Sequence, residues 1–371
     1  METQIEFFEY ITGKYYDNPS SDVVMGAHVF FYSFTHSKNK SSLIYKSNGE
    51  VIDVSFLNMG EAVEEEMVER IYHSSLSVSD EGVLRPWMFK HFKQSAGESG
   101  WWGLCYDRFD ISLSDWAKKL SSNELSDPNK VNLKIGFRRL CDYWRCTIQQ
   151  LIDVISHIHA QGIFHGSLGT TMSYVFVGDT LKIINIEGGR IEDLIEANIV
   201  AFQIRDFKQF RLMLQILFQS ILGPLTPWPE VTRFLSCFNT KRDYPTYVNK
   251  LRNHPFLMTP DQRMQYIAQL HHKLKTTHKS FRTELNSKEF DMFFNWNRHQ
   301  VFSSVEPFLM KVYTHDKPYK NRPSGLLKFL RNVYEHYMDS KEVDIEQVDD
   351  AVRSHWGDFV DYLHRRFKII K

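Results

Sequence analysis

The apolar residues near the end of the chain recur with the period of a helix. The stripe consists of Leu326, Leu327, Leu330, Val333 and Tyr337. Steps of three and four residues put these side chains on one face, so the pattern predicts a helix that buries that face. Pro323 and Ser324, just before the stripe, are typical of a helix start.

An earlier stretch combines helical and strand patterns. A long helical pattern begins at Leu151 and leads into a loop around His165. A strand over Val175–Val177, a turn at Gly178–Asp179 and a partner strand over Leu181–Ile184 then predict a β-hairpin.

Two further segments complete the predicted elements. Glu50–Phe56 has the composition of a strand and precedes a Glu-rich helix over Glu61–Glu69. The apolar run Phe210–Leu222, interrupted only by Arg211 and Gln215, predicts a buried helix. Strands in the first part and helices in the second predict an α+β chain of two or three domains, since 371 residues exceed one typical domain.

The charges balance overall but are unevenly distributed. The chain has 45 Lys/Arg and 45 Asp/Glu, so it has no net attraction for nucleic acid. From His254 onward there are 19 basic and 15 acidic residues. Between Lys311 and Arg331 six basic residues accompany a single acid, Asp316. We call this segment the basic strip; it suits a phosphate backbone, although a solvated charged face fits it equally well.

The cysteines and the hydropathy pattern bear on compartment. The four cysteines form no CxxC pair, so we expect reduced thiols and no structural zinc. The first residues lack a basic-then-apolar signal pattern, and no run of about 18 apolar residues predicts a membrane span. We therefore expect a cytoplasmic chain, with a nuclear location possible, and no membrane partner.

Candidate chemistry is concentrated beside the last predicted helix. Tyr319 precedes it, Arg331 and Asn332 lie on it, and His336 follows Asn332 by four residues, on the same face. These groups suit RNA cleavage without a metal. One takes the 2′-OH proton, one protonates the leaving 5′-oxygen, and an arginine stabilises the phosphorane charge. The spacing alone fits a surface helix with incidental polar residues as well.

The same segment resembles the C-terminal ribonuclease (KEN) domain of ribonuclease L and of the endoplasmic-reticulum stress-sensor kinase/endoribonuclease. The shared pattern is a Tyr, a hydrophobic helix carrying Arg-Asn, and a His four residues after the Asn. His254–Arg263 resembles the boundary between kinase and nuclease in that family, and Trp356–Phe367 resembles its closing helix. The resemblance covers about residues 254–371 and implies an all-α KEN domain there.

The preceding residues, 25–253, resemble a protein kinase domain, which implies a bilobal kinase-like fold after an N-terminal segment, 1–24. Three positions needed for phosphoryl transfer are altered. Ser167 stands where kinases carry the catalytic Asp, Met172 where they carry the loop Asn, and Asn185 where they carry the metal-binding Asp. The implied domain is a pseudokinase without kinase activity.

Another position keeps its kinase-like residue. Asp206 stands at the start of a long helix, where kinases carry the Asp that braces the catalytic loop. The resemblance therefore extends to a residue that supports the structure of a kinase domain, while the positions that perform its chemistry differ.

The resemblance implies a metal-independent endoribonuclease that leaves 2′,3′-cyclic phosphate and 5′-hydroxyl ends. His336 and Tyr319 would be the acid/base pair, in either order, Arg331 would bind the scissile phosphate, and Asn332 would orient the phosphate or ribose. The implied partners are RNA and a second chain, in a homodimer or a heterodimer with a relative; no cofactor is implied. The alternative is a non-catalytic pseudokinase–KEN regulator that pairs with a full-length relative.

Overall fold

The computed structural model describes most of the chain in thirteen segments. They are residues 41–45, 51–60, 62–92, 100–122, 134–135, 139–189, 196–222, 228–239, 243–276, 279–296, 307–315, 318–337 and 343–367. The predicted N-terminal segment, 1–24, lies outside these residues. So do Asp316 and Lys317 of the basic strip.

The described chain is α+β, as predicted, and its strands form small antiparallel sheets. The strands are β1 (Ser41–Tyr45), β2 (Val51–Gly60), β3 (Pro86–Phe92), β4 (Trp101–Asp107), β5 (Ile111–Ser112), β6 (Lys134–Ile135), β7 (Arg139–Leu140), β8 (Tyr174–Val177) and β9 (Thr180–Ile183). Their order is β1-β2-β4-β3 in one sheet, β5-β8-β9 in a second and β6-β7 in a third.

Helices make up the larger part of the described residues. They are α1 (Glu65–Leu76), α2 (Leu113–Ser121), α3 (Asp142–Ala160), α4 (Glu196–Leu222), α5 (Pro229–Cys237), α6 (Tyr244–Arg252), α7 (Pro260–Thr276), α8 (Lys279–Leu285), α9 (Pro307–His315), α10 (Pro323–Tyr337) and α11 (Ile345–Arg366). From His254 onward every described element is a helix.

The chain divides into two compact units. The first contains the described residues within 1–131 and 147–224, and the second contains those within 132–146 and 225–371. Compactness alone does not mark where a homologous domain ends, so the boundary before His254 stays a prediction.

In the first unit, α1 packs on the four-stranded sheet through one face. Its buried residues are Val68, Ile71, Tyr72 and Ser75, which follow the three- and four-residue steps of an amphipathic helix. The first three join Leu57, Phe89 and Leu104 of the sheet in one hydrophobic cluster. The helix begins at Glu65, four residues later than the Glu-rich stretch predicts.

The hairpin predicted around Gly178 is confirmed. β8 and β9 pair in antiparallel register, with Val177 opposite Thr180 and a two-residue turn between them. Gly178 has a φ of 57°, a conformation that glycine adopts without steric cost.

The apolar run Phe210–Leu222 is helical, as predicted, but it is buried on one side only. It forms the second half of α4. Phe210 and Phe218 are buried, whereas Leu212 is 49% exposed and Ile216 is 43% exposed. The prediction of a buried helix therefore holds for one side only: residues four apart share a face, and the face of Leu212 and Ile216 has no cover among the described residues of its unit.

In the second unit, the apolar stripe of α10 fills the core as the sequence predicts. Leu326, Leu327, Leu330 and Val333 are fully buried, while Tyr337 at the helix end is half-buried. Each fully buried aliphatic side chain contributes roughly 1.5–3 kcal/mol. This packing fixes the rotation of α10 and therefore the direction of its polar side chains.

A buried charge cluster ties α10 to its neighbours. The Tyr334 hydroxyl donates to Asp349 Oδ1 at 2.7 Å, and Arg353 Nε donates to Asp349 Oδ2 at 2.6 Å. Arg263 Nε lies 3.3 Å from Asp349, and Arg353 Nη1 lies 3.3 Å from Glu230. Burial opposes the charged form of Asp349, but the two arginines outweigh it and hold its pKa below the usual range.

Candidate active site

The loop before α10 is held close to the helix start. The side-chain NH of Trp296 donates to the carbonyl oxygen of Lys320 at 3.1 Å. The same oxygen approaches Gly325 so closely that a Cβ there would lie 1.9 Å from it. Only glycine fits at this point of contact, and the contact fixes the position of Tyr319, which neighbours Lys320.

Tyr319 and Asn332 are brought together and buried. Asn332 Nδ2 donates to the Tyr319 hydroxyl at 2.9 Å. Tyr319 is 5% exposed and Asn332 is 3% exposed. The Tyr319 ring lies in an aromatic cluster, edge-on to Phe329 at 5.3 Å and stacked on Tyr313 at 5.8 Å between centroids. The phenol is therefore a core group, whereas the sequence suggested a group that faces substrate.

Arg331 connects this buried pair to the surface. Its Nη1 donates to Asn332 Oδ1 at 3.0 Å, and its Nη2 forms an ion pair with Glu335. The Arg331 side chain is 29% exposed and that of Glu335 is 43% exposed. A continuous chain of polar contacts thus runs from Glu335 through Arg331 and Asn332 to Tyr319.

His336 is half-buried in the last turn of α10, where it faces a second imidazole. The ring centroids of His336 and His315 lie 5.7 Å apart, with the planes inclined by 50°. His315 is the exposed last residue of α9. His315 is not among the residues predicted from the sequence, although it lies inside the basic strip and four residues before Tyr319.

The described part of the basic strip is accessible to solvent. Lys311, Lys320 and Arg322 are exposed, and Lys328 Nζ lies 5.2 Å from the centre of the Tyr319 ring. A cation over an aromatic face is held there by the ring quadrupole. The site therefore has one basic side chain, Lys328, in contact with Tyr319, and three exposed basic side chains lie in the same segment of the chain.

The pKa of His271 in α7 is affected by this positive charge. Burial lowers its pKa to about 4, with the positive charges of Lys275, Arg331 and Lys328 acting in the same direction. The residue was also missed from the sequence. His271 follows Ile267 by four residues and precedes Leu274 by three, and this spacing is the signal that would have placed it on the inner face of α7.

The degenerate kinase-like positions lie in the first unit. The Ser167 hydroxyl contacts His165 Nδ1 at 3.3 Å, and Met172 is 40% exposed in the 3₁₀ helix Thr171–Ser173. Asn185 has a φ of 59°, and its Oδ1 accepts a 2.7 Å hydrogen bond from the buried Tyr106 hydroxyl. The amide oxygen that stands at the metal-binding position is thus directed into the core.

Asp206 anchors the loop that contains Ser167. Its carboxylate accepts from the backbone NH of His165 at 2.6 Å and of Gly166 at 2.9 Å, and it contacts His159 Nε2 at 2.9 Å. Burial opposes its charge, but the bond from His159 and the charge of His165 hold its pKa below the usual range. A carboxylate this well satisfied acts as a structural group.

Two other features of the described residues concern ligands. Within the segments that the structure covers, no group of three or more His, Cys, Asp and Glu side chains could hold a metal ion. An open cleft of roughly 680 Å³ lies between the α9 residue Phe308 and the α11 residues Ala351 and His355. None of the four predicted site residues lines it.

Comparison with known proteins adds no identification. No protein-family model matches the chain, and no curated protein matches it. Among the described helices none is long and apolar enough to cross a membrane.

Proposed function

We propose that residues 254–371 are a metal-independent endoribonuclease domain of the KEN type. The observation that carries the proposal is the arrangement at the end of α10. There a half-buried imidazole, His336, shares a helix with Arg331, which is joined through Asn332 to Tyr319. Lys328 lies over the Tyr319 ring, and three other cations of the basic strip are exposed.

The proposed reaction needs two proton-transfer groups and a cation beside the phosphate. A base removes the 2′-OH proton, the 2′-oxygen attacks phosphorus, and the P–O5′ bond breaks as an acid protonates the leaving oxygen. His336 supplies one of the two proton transfers. Arg331 contributes by neutralising the charge that develops on the nonbridging oxygens. The products are a 2′,3′-cyclic phosphate and a 5′-hydroxyl.

The ion pair with Glu335 does not prevent this role. Both partners are partly exposed, and such pairs contribute up to about 1 kcal/mol. A phosphate oxygen can replace the Glu335 carboxylate at low cost, whereas Arg331 Nη1 keeps its bond to Asn332. We infer that the buried residues Asn332 and Tyr319 hold Arg331 in position and do not contact RNA.

We further propose that residues 25–253 form a kinase-like domain without kinase activity. The support is the Asp206 carboxylate, which holds the backbone of the His165–Ser167 loop as the bracing Asp of a kinase would. Ser167, Met172 and Asn185 supply none of the carboxylates that hold magnesium and the substrate hydroxyl in phosphoryl transfer. Such a domain can serve as a scaffold for pairing.

The proposed active unit is a dimer, either of two copies or of this chain with a related one. Two-fold pairing brings two equivalent basic strips to one RNA, which increases the number of phosphate contacts. The kinase-like domain is the proposed pairing element.

The direct test is incubation of the purified chain with an end-labelled stem-loop RNA in EDTA. We expect cleavage, with fragments that carry a cyclic phosphate, identified by mass and by their resistance to 3′ tailing until the ring is opened and the resulting phosphate is removed. Intact RNA at micromolar protein, beside a ribonuclease that cuts in the same buffer, would overturn the proposal.

A second candidate, the non-catalytic regulator, is favoured by one observation. Arg331 is already occupied on two sides, by Glu335 and Asn332, and Tyr319 is buried. A regulator would bind RNA or a related nuclease without cleaving. The same incubation separates the two, because a regulator leaves the RNA intact yet changes the cleavage rate of an active relative when the two are mixed.

A further inference from the structure

The proposed cleavage needs two proton-transfer groups, and Tyr319 is poorly suited to be one of them. Its hydroxyl accepts the Asn332 amide at 2.9 Å in the core, and the side chain is 5% exposed. A base or acid must come within roughly 2.6–3.2 Å of the atom whose proton it moves. A 2′- or 5′-oxygen of RNA could reach this phenol only after the aromatic cluster opened.

His315 has the access that Tyr319 lacks. It is exposed, it ends α9, and its ring lies 5.7 Å from that of His336 between centroids. The planes are inclined by 50°, so the rings are not stacked face to face. A ribonucleotide linkage can lie against both imidazoles, with one ring nitrogen directed at the 2′-hydroxyl and one nitrogen of the other ring directed at the 5′-oxygen.

Because in-line attack puts the entering and leaving oxygens on opposite sides of phosphorus, the base and the acid have to be two separated groups. Histidine is the side chain that most often serves as general acid or general base in enzymes, so two imidazoles can divide these two duties.

We propose that His315 is a catalytic residue that shares proton transfer with His336, an assignment that rests on the proposed ribonuclease function. One imidazole accepts the 2′-OH proton as the P–O2′ bond forms, and the other donates a proton to the 5′-oxygen as the P–O5′ bond breaks. Exchange with water then restores the starting protonation of both rings. Tyr319 becomes a positioning residue for Asn332 and Arg331.

The experiment compares two substrates that differ in the leaving group. One is an ordinary RNA, and the other is a uridine 3′-phosphodiester of nitrophenol, whose departure needs no acid. Full-length chains carrying His315→Ala, His336→Ala or Thr314→Ala are assayed on both. Thr314 is an exposed neighbour on the same helix, and its hydroxyl bonds only to backbone carbonyls of α9, so Thr314→Ala keeps wild-type rates.

We expect each histidine variant to lose roughly 100-fold or more on RNA. On the nitrophenyl ester the variant that lacks the acid regains most of the wild-type rate, while the variant that lacks the base does not. Lys311→Ala, one turn before His315, separates charge from proton transfer. It weakens binding of both substrates and shows no recovery on the ester.

The outcomes are distinguishable. If the wild type cleaves RNA and His315→Ala cleaves it at the wild-type rate, the assignment of His315 is wrong and the ribonuclease proposal stands. If His315→Ala is impaired by the same factor as Lys311→Ala on both substrates, its role is phosphate binding and proton transfer by His315 is excluded. A wild type that cleaves neither substrate overturns both proposals together.

Discussion

Asn332 donates a 2.9 Å hydrogen bond to the hydroxyl of Tyr319, and both side chains are buried beneath Arg331. The contact joins α10 to the loop that precedes it. It also makes the two residues parts of one support for the arginine, whose Nη1 donates to the other side of the Asn332 amide.

Tyr319→Phe removes the acceptor of the Asn332 amide while keeping the ring. We expect the free energy of unfolding to fall by about 1–3 kcal/mol, the usual cost of losing a buried hydrogen-bond partner. Cleavage of RNA should fall by much less than in His336→Ala. Chemical denaturation and initial rates measure the two effects. A loss of 100-fold or more with unchanged stability would instead identify Tyr319 as an acid or base.

Gly325→Ala tests the close approach of the loop to α10. The added Cβ would lie 1.9 Å from the carbonyl oxygen of Lys320, a backbone atom that cannot move alone. We expect destabilisation of at least about 1–3 kcal/mol, the scale of overpacking, and reduced cleavage because Tyr319 shifts. Ser324→Ala in the same turn is the matched control. Equal stabilities of the two variants would contradict the description of the loop.

Glu335→Gln removes the carboxylate that competes with phosphate for Arg331. We expect RNA to bind up to about five-fold more tightly, which corresponds to an exposed ion pair of about 1 kcal/mol. Fluorescence anisotropy at fixed salt measures the affinity. Glu289→Gln makes the same change of charge at an exposed site that pairs with Arg366, so it should leave the affinity near that of the wild type. Weaker binding of RNA by Glu335→Gln would mean that Glu335 holds Arg331 in the orientation that binds phosphate.

His271→Leu should reduce the sensitivity of the fold to acid. The folded-state pKa of His271 is about 4 and an unfolded histidine has about 6.5, so the unfolded chain binds more protons between these values. The stability contributed by the neutral ring is complete above pH 6.5 and is lost as the pH falls towards 4. At pH 5 the loss is up to about 2 kcal/mol. Urea unfolding of the wild type and of His271→Leu at pH 7.5 and pH 5 measures this loss. If both proteins lose the same unfolding free energy between the two pH values, the neutral buried state of His271 is refuted.

Dilution tests the dimer. If the active unit contains two chains, specific activity falls as the protein is diluted below its dimer dissociation constant. We expect the rate to rise more steeply than linearly over a hundredfold range of protein concentration. Sedimentation over the same range should show the matching change in mass. Constant activity per chain in a protein that sediments as a monomer throughout would exclude pairing as the mechanism.

Much of the local structure follows from the amino-acid pattern. The stripe of α10 specifies a helix and its buried face, because residues three and four apart must lie together on it. Gly178 and Asp179 between two apolar runs specify a two-residue hairpin for an equally local reason. Even the ion pair between Arg331 and Glu335 follows from a spacing of four on a helix.

Other features depend on how distant segments pack. Leu212 and Ile216 belong to an apolar run, yet they are exposed, since burial depends on what covers each face of α4. Tyr319 carries a chemically useful group, but the aromatic cluster formed with Phe329 and Tyr313 draws it into the core. The spacing of residues along the chain does not show which distant side chains pack over a given residue.

The candidate site divides in the same way. Arg331, Asn332 and His336 lie within six residues of one helix, so the sequence alone specifies their order and their faces. His315 and His336 are 21 positions apart in the chain, and their contact joins the ends of two helices. Only the packing of α9 and α10 brings these rings within 5.7 Å, because a contact between separate elements depends on the core that both of them share.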